Sequence, residues 1–348
     1  MSRTGVLSGV LRMRAALRVP VLTVLTYHHI DDPTADSPFD PGVADATPPQ
    51  FRRQMELVAR YGTALSMDQV CRILCDGERP PPNPVLITFD DGYRSCLETA
   101  TPILRQVGIP ATFFVATSFV EHRKLFWWER ISVLLSSARL RRLGRVKVVA
   151  PASGSAPARE LTFDPAQPDA LDVVTRLIKD TPGLDLEALL QAISEALKEP
   201  WSAARDRELS DRLIMTWEQV RALAAAGMDV ESHTRSHRVL QTVPAEELAA
   251  ELAGSRSDLE RQLGRPVRTI AYPVGRPLGT NYLLREAVRQ AGYRLGFTNA
   301  TGVNTLRGRR VDPLAVGRLA MGRDFSDEMF LGQLALPQLA HPARHSGA

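Results

Sequence analysis

From residue 21 to about residue 120, short β-branched apolar runs alternate with segments of helical period, and the same rhythm resumes at about residue 214. The runs "VLTVLTY", "VLITF" and "IPATFFVAT" read as strands, and "TPPQFRRQMELVARYG" and "SMDQVCRIL" between them read as amphipathic helices. Strand and helix in alternation make a parallel sheet or barrel, whose strands are covered on both faces. That constraint turns "VLTYHHIDD" into a question. Side chains alternate across a strand, so His28 and His29 face opposite ways and one imidazole must enter the interior.

The punctuation supports the helices. Thr47 and Gln50 have capping-box spacing with prolines in the first turn, Phe51, Met55 and Val58 form the buried stripe, and Gly62 ends it. Thr216 and Gln219 repeat the box at "MTWEQVRALAAAG". Later elements follow in order: strand "MDVESH", helix "PAEELAAELAGSRSDLERQLG", strand "TIAYPVG", helix "NYLLREAVRQAG", strand "YRLGFTN" and a last strand near "LAVGRLAM". The texture changes between residues 121 and 213, where "KLFWWERISVLL" looks helical, "RLRRLGRVKVVAPASGSAPARE" is basic and then Pro/Ala/Ser-rich, and two helix-like segments follow. We read this stretch as an insertion that caps one large domain spanning residues 21–336, with residues 1–20 a basic leading segment and residues 337–348 a loose tail.

Composition narrows the class. The chain has 348 residues, 44% hydrophobic and 24% charged, with no apolar run long enough to span a bilayer. A net charge of +4 without a basic, aromatic-interleaved face argues against nucleic acid as a partner. The basic excess is local: Arg3, Arg12, Arg14 and Arg18 meet no acid in the first 30 residues. These arginines interrupt any signal-peptide core, so the segment is expected to stay uncleaved, as a solvated helix or as a peripheral contact with an anionic membrane surface. The run Arg139, Arg141, Arg142, Arg145 and Lys147 carries the same two readings, a solvated face or an anionic partner. Three cysteines, Cys71, Cys75 and Cys96, form no metal or disulfide pattern. Cys71 and Cys75, one helical turn apart, are expected to pack as small hydrophobes, and a cytoplasmic location fits.

Chemistry concentrates at strand ends. In "LITFDDGY", Asp90 and Asp91 stand where a buried strand gives way to a glycine turn, which in parallel folds is the site-bearing face. Adjacent carboxylates repel, and a bound cation offsets that: one ligates it and the other accepts a proton. His233 and His237 in "VESHTRSH" are four apart, the spacing that places two imidazoles on one face of a helical turn. With Asp91 they make a two-histidine, one-carboxylate set with positions open for water and substrate.

"ITFDDGY", "SHTRSH" and "AYPVG" resemble three motifs of the polysaccharide deacetylase family, the NodB-homology carbohydrate esterases. The resemblance implies a distorted, incomplete (β/α) barrel. It also implies that Asp90 is the catalytic base and that Asp91, His233 and His237 hold zinc or a similar divalent ion, with Co2+, Ni2+ or Mn2+ as alternatives. Many members carry a proton-donating histidine near the C-terminal end, but here none lies between His237 and His341. A circularly permuted branch resembling poly-N-acetylglucosamine deacetylases places a Tyr-His pair on its first strand, which "TYHHI" matches with His28; His29 is the alternative donor. A histidine there has an ordinary pKa suited to protonating an amine.

The third motif departs from the family. Ala271, Tyr272, Pro273, Val274 and Gly275 lack the arginine that orients the base, for which Arg318 and Arg276 are candidates. The Tyr272–Gly275 segment still offers a backbone amide, Val274 foremost, to an oxyanion. Trp127 and Trp128 are read as a core anchor beside an interface residue, with a sugar-stacking platform as the other reading. The expected activity is removal of N-acetyl groups from an amino-sugar poly- or oligosaccharide, in exopolysaccharide or cell-surface glycan synthesis. An O-acetyl esterase, another amide hydrolase and a carbohydrate-binding pseudoenzyme are the competing expectations.

Overall fold

The computed structural model describes residues 3–34, 36–152, 157–300, 303–306 and 311–337; of the tail expected at residues 337–348, all but residue 337 lies outside them. Its parallel strands run in the order Val21–Tyr27, Pro84–Phe89, Thr112–Val115, Asp229–Ser232, Thr269–Ala271, Leu295–Thr298 and Val316–Gly317. The next two residues after a single-residue break, Leu319–Ala320, pair parallel with Val21–Tyr27. One broken strand therefore touches the last and the first strands, and the sheet becomes a nearly closed barrel. Arg318 stands at the break. Asn304 staples this seam, its amide nitrogen donating to the Leu22 and Gly317 carbonyls while its oxygen accepts from the Gly317 N–H.

Alternation sorts the side chains as the sequence requires. Leu22, Val24, Leu86, Phe114, Ala271, Leu295, Phe297 and Val316 form one buried cluster with Met67, Val70 and Cys71 of the helix Met67–Cys75. Leu25, Tyr27, Ile87, Phe89, Phe113 and Ile270 join a separate, larger cluster with the surrounding helices. The first set is the barrel interior, closed at one end by that helix. Continuing its register past Val24 and Leu86 leads to Thr26 and Thr88, whose hydroxyls lie 3.1 Å apart, and then to His28 and Asp90. Interior parity thus delivers His28 and Asp90 to the same mouth.

Local chemistry sets the helix starts. The boxes at Thr47/Gln50 and Thr216/Gln219 form, and so does a third, at Ser66/Gln69. Helix Pro48–Tyr61 buries Phe51, Met55 and Val58 and stops at Gly62.

Three expectations are corrected by packing. The leading segment is not a free solvated helix: Arg3–Ala16 packs on the helix Asp327–Ala335, with Leu11 and Arg14 buried. Arg14 donates to the carbonyls of Leu334 and Ala335, satisfying groups that a helix C-terminus leaves without partners. Val6, Arg12, Met13, Leu17 and Arg18 form its exposed side. In the insertion, the basic-to-Pro/Ala/Ser stretch contains an antiparallel pair, Val146–Ala150 with Arg159–Phe163, set among helices Trp127–Leu140, Ala170–Asp180, Leu186–Ala196 and Ala203–Leu213. Val148 and Ala150 alternate into the core, a two-residue period that the surrounding arginines hide. Cys75 is exposed rather than packed, while Cys71 and Cys96 are buried.

Three members of the basic run have local partners, while Arg142 and Arg145 are exposed. Arg139 donates to Pro165 O, Arg141 to the carbonyls of Leu197 and Lys198, and Lys147 pairs with Glu160 at 2.6 Å. Among the described residues, no helix is long and apolar enough to cross a membrane.

Candidate active site

Asp91 is the centre of the site. It follows the Pro84–Phe89 strand at a φ of 75°, a left-handed turn completed by Gly92, and its carbonyl accepts from the Ala116 N–H. Both carboxylate oxygens are fully buried and accept no hydrogen bond, an arrangement that costs several kcal/mol unless positive charge compensates it. His233 Nε2 and His237 Nε2 lie 3.3 and 3.2 Å from Asp91 Oδ1. Ligands about 2 Å from a shared tetrahedral ion lie about 3.3 Å from one another. The donor atoms, all within 4.8 Å of one another, suit one divalent cation in number and kind, and both imidazoles stand about one tetrahedral edge from Asp91.

The histidines do not sit on a helical turn as their spacing suggests. They follow the Asp229–Ser232 strand in a loop that reverses twice through positive φ, 63° at Thr234 and 54° at His237. Such conformations persist only where the surroundings over-determine them. Here Glu251 accepts from the N–H groups of Arg235 and Ser236, and the Thr234 and Arg235 carbonyls accept from Thr117 and Ser118. His233 Nδ1 donates to Ala271 O at 2.8 Å, which leaves Nε2 as the lone-pair nitrogen.

Asp90 lies beside this cluster, 3.8 Å from His233 Nε2, in the grip of Arg318. Two parallel bonds of 2.7 Å join Nη1 to Oδ1 and Nη2 to Oδ2. Burial pushes the Asp90 carboxyl up, but the Arg318 charge outweighs it with help from His233, so the group is held below its ordinary range. Arg276, the other candidate, is on the surface and pairs with Asp180.

His28 is buried with Nδ1 3.0 Å from Asp45 Oδ2, and its own backbone N–H donates to the same oxygen. Strand Ala44–Ala46 pairs with His29–Ile30, which sets Asp45 next to His28. Burial alone depresses the imidazole; Asp45, by charge and hydrogen bond, with Asp91 and Asp90 behind it, raises its pKa to about 9. His29 turns outward, with Nδ1 2.6 Å from Ser95 Oγ, Nε2 3.2 Å from Asp31 Oδ2 and its ring on Tyr93. Ser95 also accepts from the Ile30 N–H, and Cys96 Sγ–H points to His28 O, so this turn grips the backbone that carries His28.

The third-motif segment divides its labour. Tyr272 is a core residue: its hydroxyl donates to Leu314 O and its ring covers Gly296, where a Cβ would lie 1.8 Å from that hydroxyl. Of the segment's amides, Tyr272 N–H donates to Phe297 O, Gly275 N–H donates to Tyr272 O, and Pro273 has none. Val274 donates its N–H to no backbone carbonyl among the described residues. It holds a φ of 60°, strained for a β-branched residue.

Neither tryptophan is an exposed platform. Trp127 and Trp128 are 3% and 0% exposed, and Trp128 lies 4.5 Å from the His237 ring between centroids. Trp128 Nε1 donates to Tyr93 OH, Tyr93 OH donates to Glu129, and Glu129 accepts from the Asp40 N–H. Burial, then Asp40, raises the Glu129 carboxyl to about 8. Asp45, Glu129 and Glu251 escaped the sequence reading because each is an isolated polar residue outside any motif, and Tyr93, though inside the D-D-G-Y motif, because its partners Trp128 and Glu129 lie in the insertion.

A parallel barrel that gathers one aspartate and two histidines beside an arginine-held second aspartate is the arrangement of a NodB-type deacetylase. The chain belongs to the polysaccharide deacetylase family, whose family model matches residues 77–142 and 154–296. His28 and Arg318 lie outside the matched stretches. The chain is 31% identical over 88 residues to YxkH of Bacillus subtilis (strain 168), a match covering 25% of this chain and 30% of that relative. Among solved structures it resembles deacetylase PplD of Streptococcus pyogenes, with 20% identity, 90% of this chain and 98% of that one covered, and a TM-score of 0.56. IcaB from Ammonifex degensii gives 20%, 92%, 97% and 0.55. A de-N-acetylase from Aggregatibacter actinomycetemcomitans gives 16%, 88%, 97% and 0.52. At these identities the likeness is one of fold.

Proposed function

We propose that this protein is a divalent-metal-dependent hydrolase that removes acetyl groups from N-acetylated amino sugars of a poly- or oligosaccharide and releases acetate. The observation that carries the reading is the buried, donor-free Asp91 carboxylate with two imidazole nitrogens about one tetrahedral edge away. Asp91, His233 and His237 would hold the ion, for which their donor set suits zinc, with Co2+, Ni2+ and Mn2+ as alternatives. Such an ion supplies positive charge that polarises the acetamide carbonyl and acidifies water.

The chain's own residues do the rest. Asp90, kept ionised and oriented by Arg318, accepts the proton of the attacking water. The Val274 N–H donates to the acetyl oxygen as negative charge gathers there. His28, protonated at neutral pH because of Asp45, gives its proton to the departing sugar nitrogen. A pseudoenzyme loses its main argument, since Arg318 meets the aspartate that the altered third motif leaves without an arginine. Exopolysaccharide or cell-surface glycan synthesis on the cytoplasmic side is the setting we propose.

Acetate release from N-acetylglucosamine oligomers and acetylated xylan, with metal analysis of the same sample, tests the reading. Asp90→Asn should abolish turnover and retain metal, whereas His233→Ala should lose both. Retention of metal by His233→Ala contradicts the ligand assignment.

A further inference from the structure

The two imidazoles facing Asp91 are not equally supported. His233 Nδ1 meets the Ala271 carbonyl, whereas His237 Nδ1 is buried and has no hydrogen-bond partner among the described residues. With Nε2 turned toward Asp91, the neutral ring carries its proton on Nδ1, and a buried donor without an acceptor costs about 1–3 kcal/mol. Trp127 Nε1–H is a second buried donor without an acceptor, and Thr181 Oγ1 is a buried hydroxyl without a partner. The three residues line a single cavity of about 20 Å³.

We infer that this cavity is a one-water site through which the insertion orients the second histidine; the inference rests on the reading of Asp91, His233 and His237 as the metal-binding set. Volume decides the occupant first. A cavity needs roughly 10–15 Å³ to hold one water, and this one leaves no room for acetate or a sugar hydroxymethyl group. Donor count decides it next. A water has two lone pairs for the two N–H groups and a proton for Thr181 Oγ1, so all three groups are satisfied at once. A cation fails because two N–H donors face it. The Trp127 and His237 rings are tilted neighbours on the cavity wall, with centroids 6.4 Å apart.

The assignment gives the insertion a task. Trp127 begins the helix Trp127–Leu140, and Thr181 follows the helix Ala170–Asp180, so both holding groups come from residues 121–213 while His237 belongs to the barrel. Packing of the insertion is thereby coupled to the orientation of a metal-binding imidazole. Partners of this kind typically change metal affinity 10–100-fold when lost.

The test uses the full chain. A high-resolution crystal structure should show one ordered solvent peak within hydrogen-bond distance of Trp127 Nε1, Thr181 Oγ1 and His237 Nδ1. An empty cavity, a protein acceptor on His237 Nδ1, or a bromide that enters on soaking, Lys179 and Arg238 being also on the wall, overturns it. Zinc affinity, measured by chelator competition without substrate, should weaken about tenfold in Thr181→Val and in Trp127→Phe and recover in Thr181→Ser. Unchanged zinc affinity in both deletions overturns the coupling, and the Ser variant separates lost folding from a lost hydroxyl. If the wild type binds no divalent ion, the metal reading fails by itself while the solvent peak still decides the water site.

Discussion

Replacing Arg318 by methionine isolates the strongest electrostatic element of the site. The guanidinium and the Asp90 carboxylate are 0% and 2% exposed, so their pairing is unscreened by solvent, and methionine keeps most of the side chain's length without charge. Removing one partner of a buried ion pair leaves an uncompensated charge worth about 3–5 kcal/mol. At about 2–4 °C per kcal/mol for larger domains, the melting temperature should fall by roughly 6–20 °C. The sign with pH follows from the lowered Asp90 carboxyl, whose stabilisation is present above the unfolded value near 4 and is lost as pH falls through the folded one. Without Arg318, burial acts with less opposition and the carboxyl rises. The stability deficit of the variant should thus be largest near neutrality and shrink on acidification. The acidic limb of kcat/KM, followed by acetate release from a soluble N-acetylglucosamine oligomer, should move to higher pH. Arg318→Lys should fall between the two. An acidic limb that stays in place, with a stability change under about 1 kcal/mol, refutes the claim that Arg318 keeps the base ionised. A purely structural arginine would lower the melting temperature and leave the limb unmoved.

Two further outcomes follow from neighbouring residues. Asp45→Asn removes the largest influence raising His28, so its pKa should drop from about 9 and the alkaline limb of kcat/KM should move to lower pH; an unmoved limb excludes His28 as the proton donor. Because the folded value exceeds the unfolded one near 6.5, the His28–Asp45 stabilisation is complete below that pH and disappears as pH rises through about 9. Urea midpoints should therefore converge between wild type and Asp45→Asn in alkali. Val274→Gly keeps the amide and removes a β-branched side chain from φ 60°, so turnover should stay within a few-fold and stability should change by no more than about 1 kcal/mol. A hundredfold loss of turnover would show that the side chain, and not the N–H, acts there.

The alternation of strand and helix, the capping boxes and the D-D-G and H-x-x-x-H motifs are local in sequence, and the fold and the Asp91, His233 and His237 cluster were legible from them. Parity along the first strand said that His28 and His29 face opposite ways, because side-chain direction in a strand repeats every two residues, while the choice of His28 came from the resemblance and its inward position from the fold. The histidine loop shows the limit of such reasoning: spacing suggested a helical turn, yet tertiary bonds from Glu251, Thr117 and Ser118 hold a loop that brings the same nitrogens together. The hairpin in the insertion was missed because its apolar alternation is short and flanked by arginines.

What the amino-acid order determined by itself is the set of elements and the chemical types at their ends. Tertiary packing decided the remainder. Closure of the barrel brought Arg318 to Asp90 across 228 residues of chain, a separate strand pair set Asp45 beside His28, and the insertion helix set Trp128 against His237. Each is a pairing between a residue with no motif and one with a motif, and a buried charge is satisfied by whatever group the fold sets within about 3 Å, wherever that group lies in the chain.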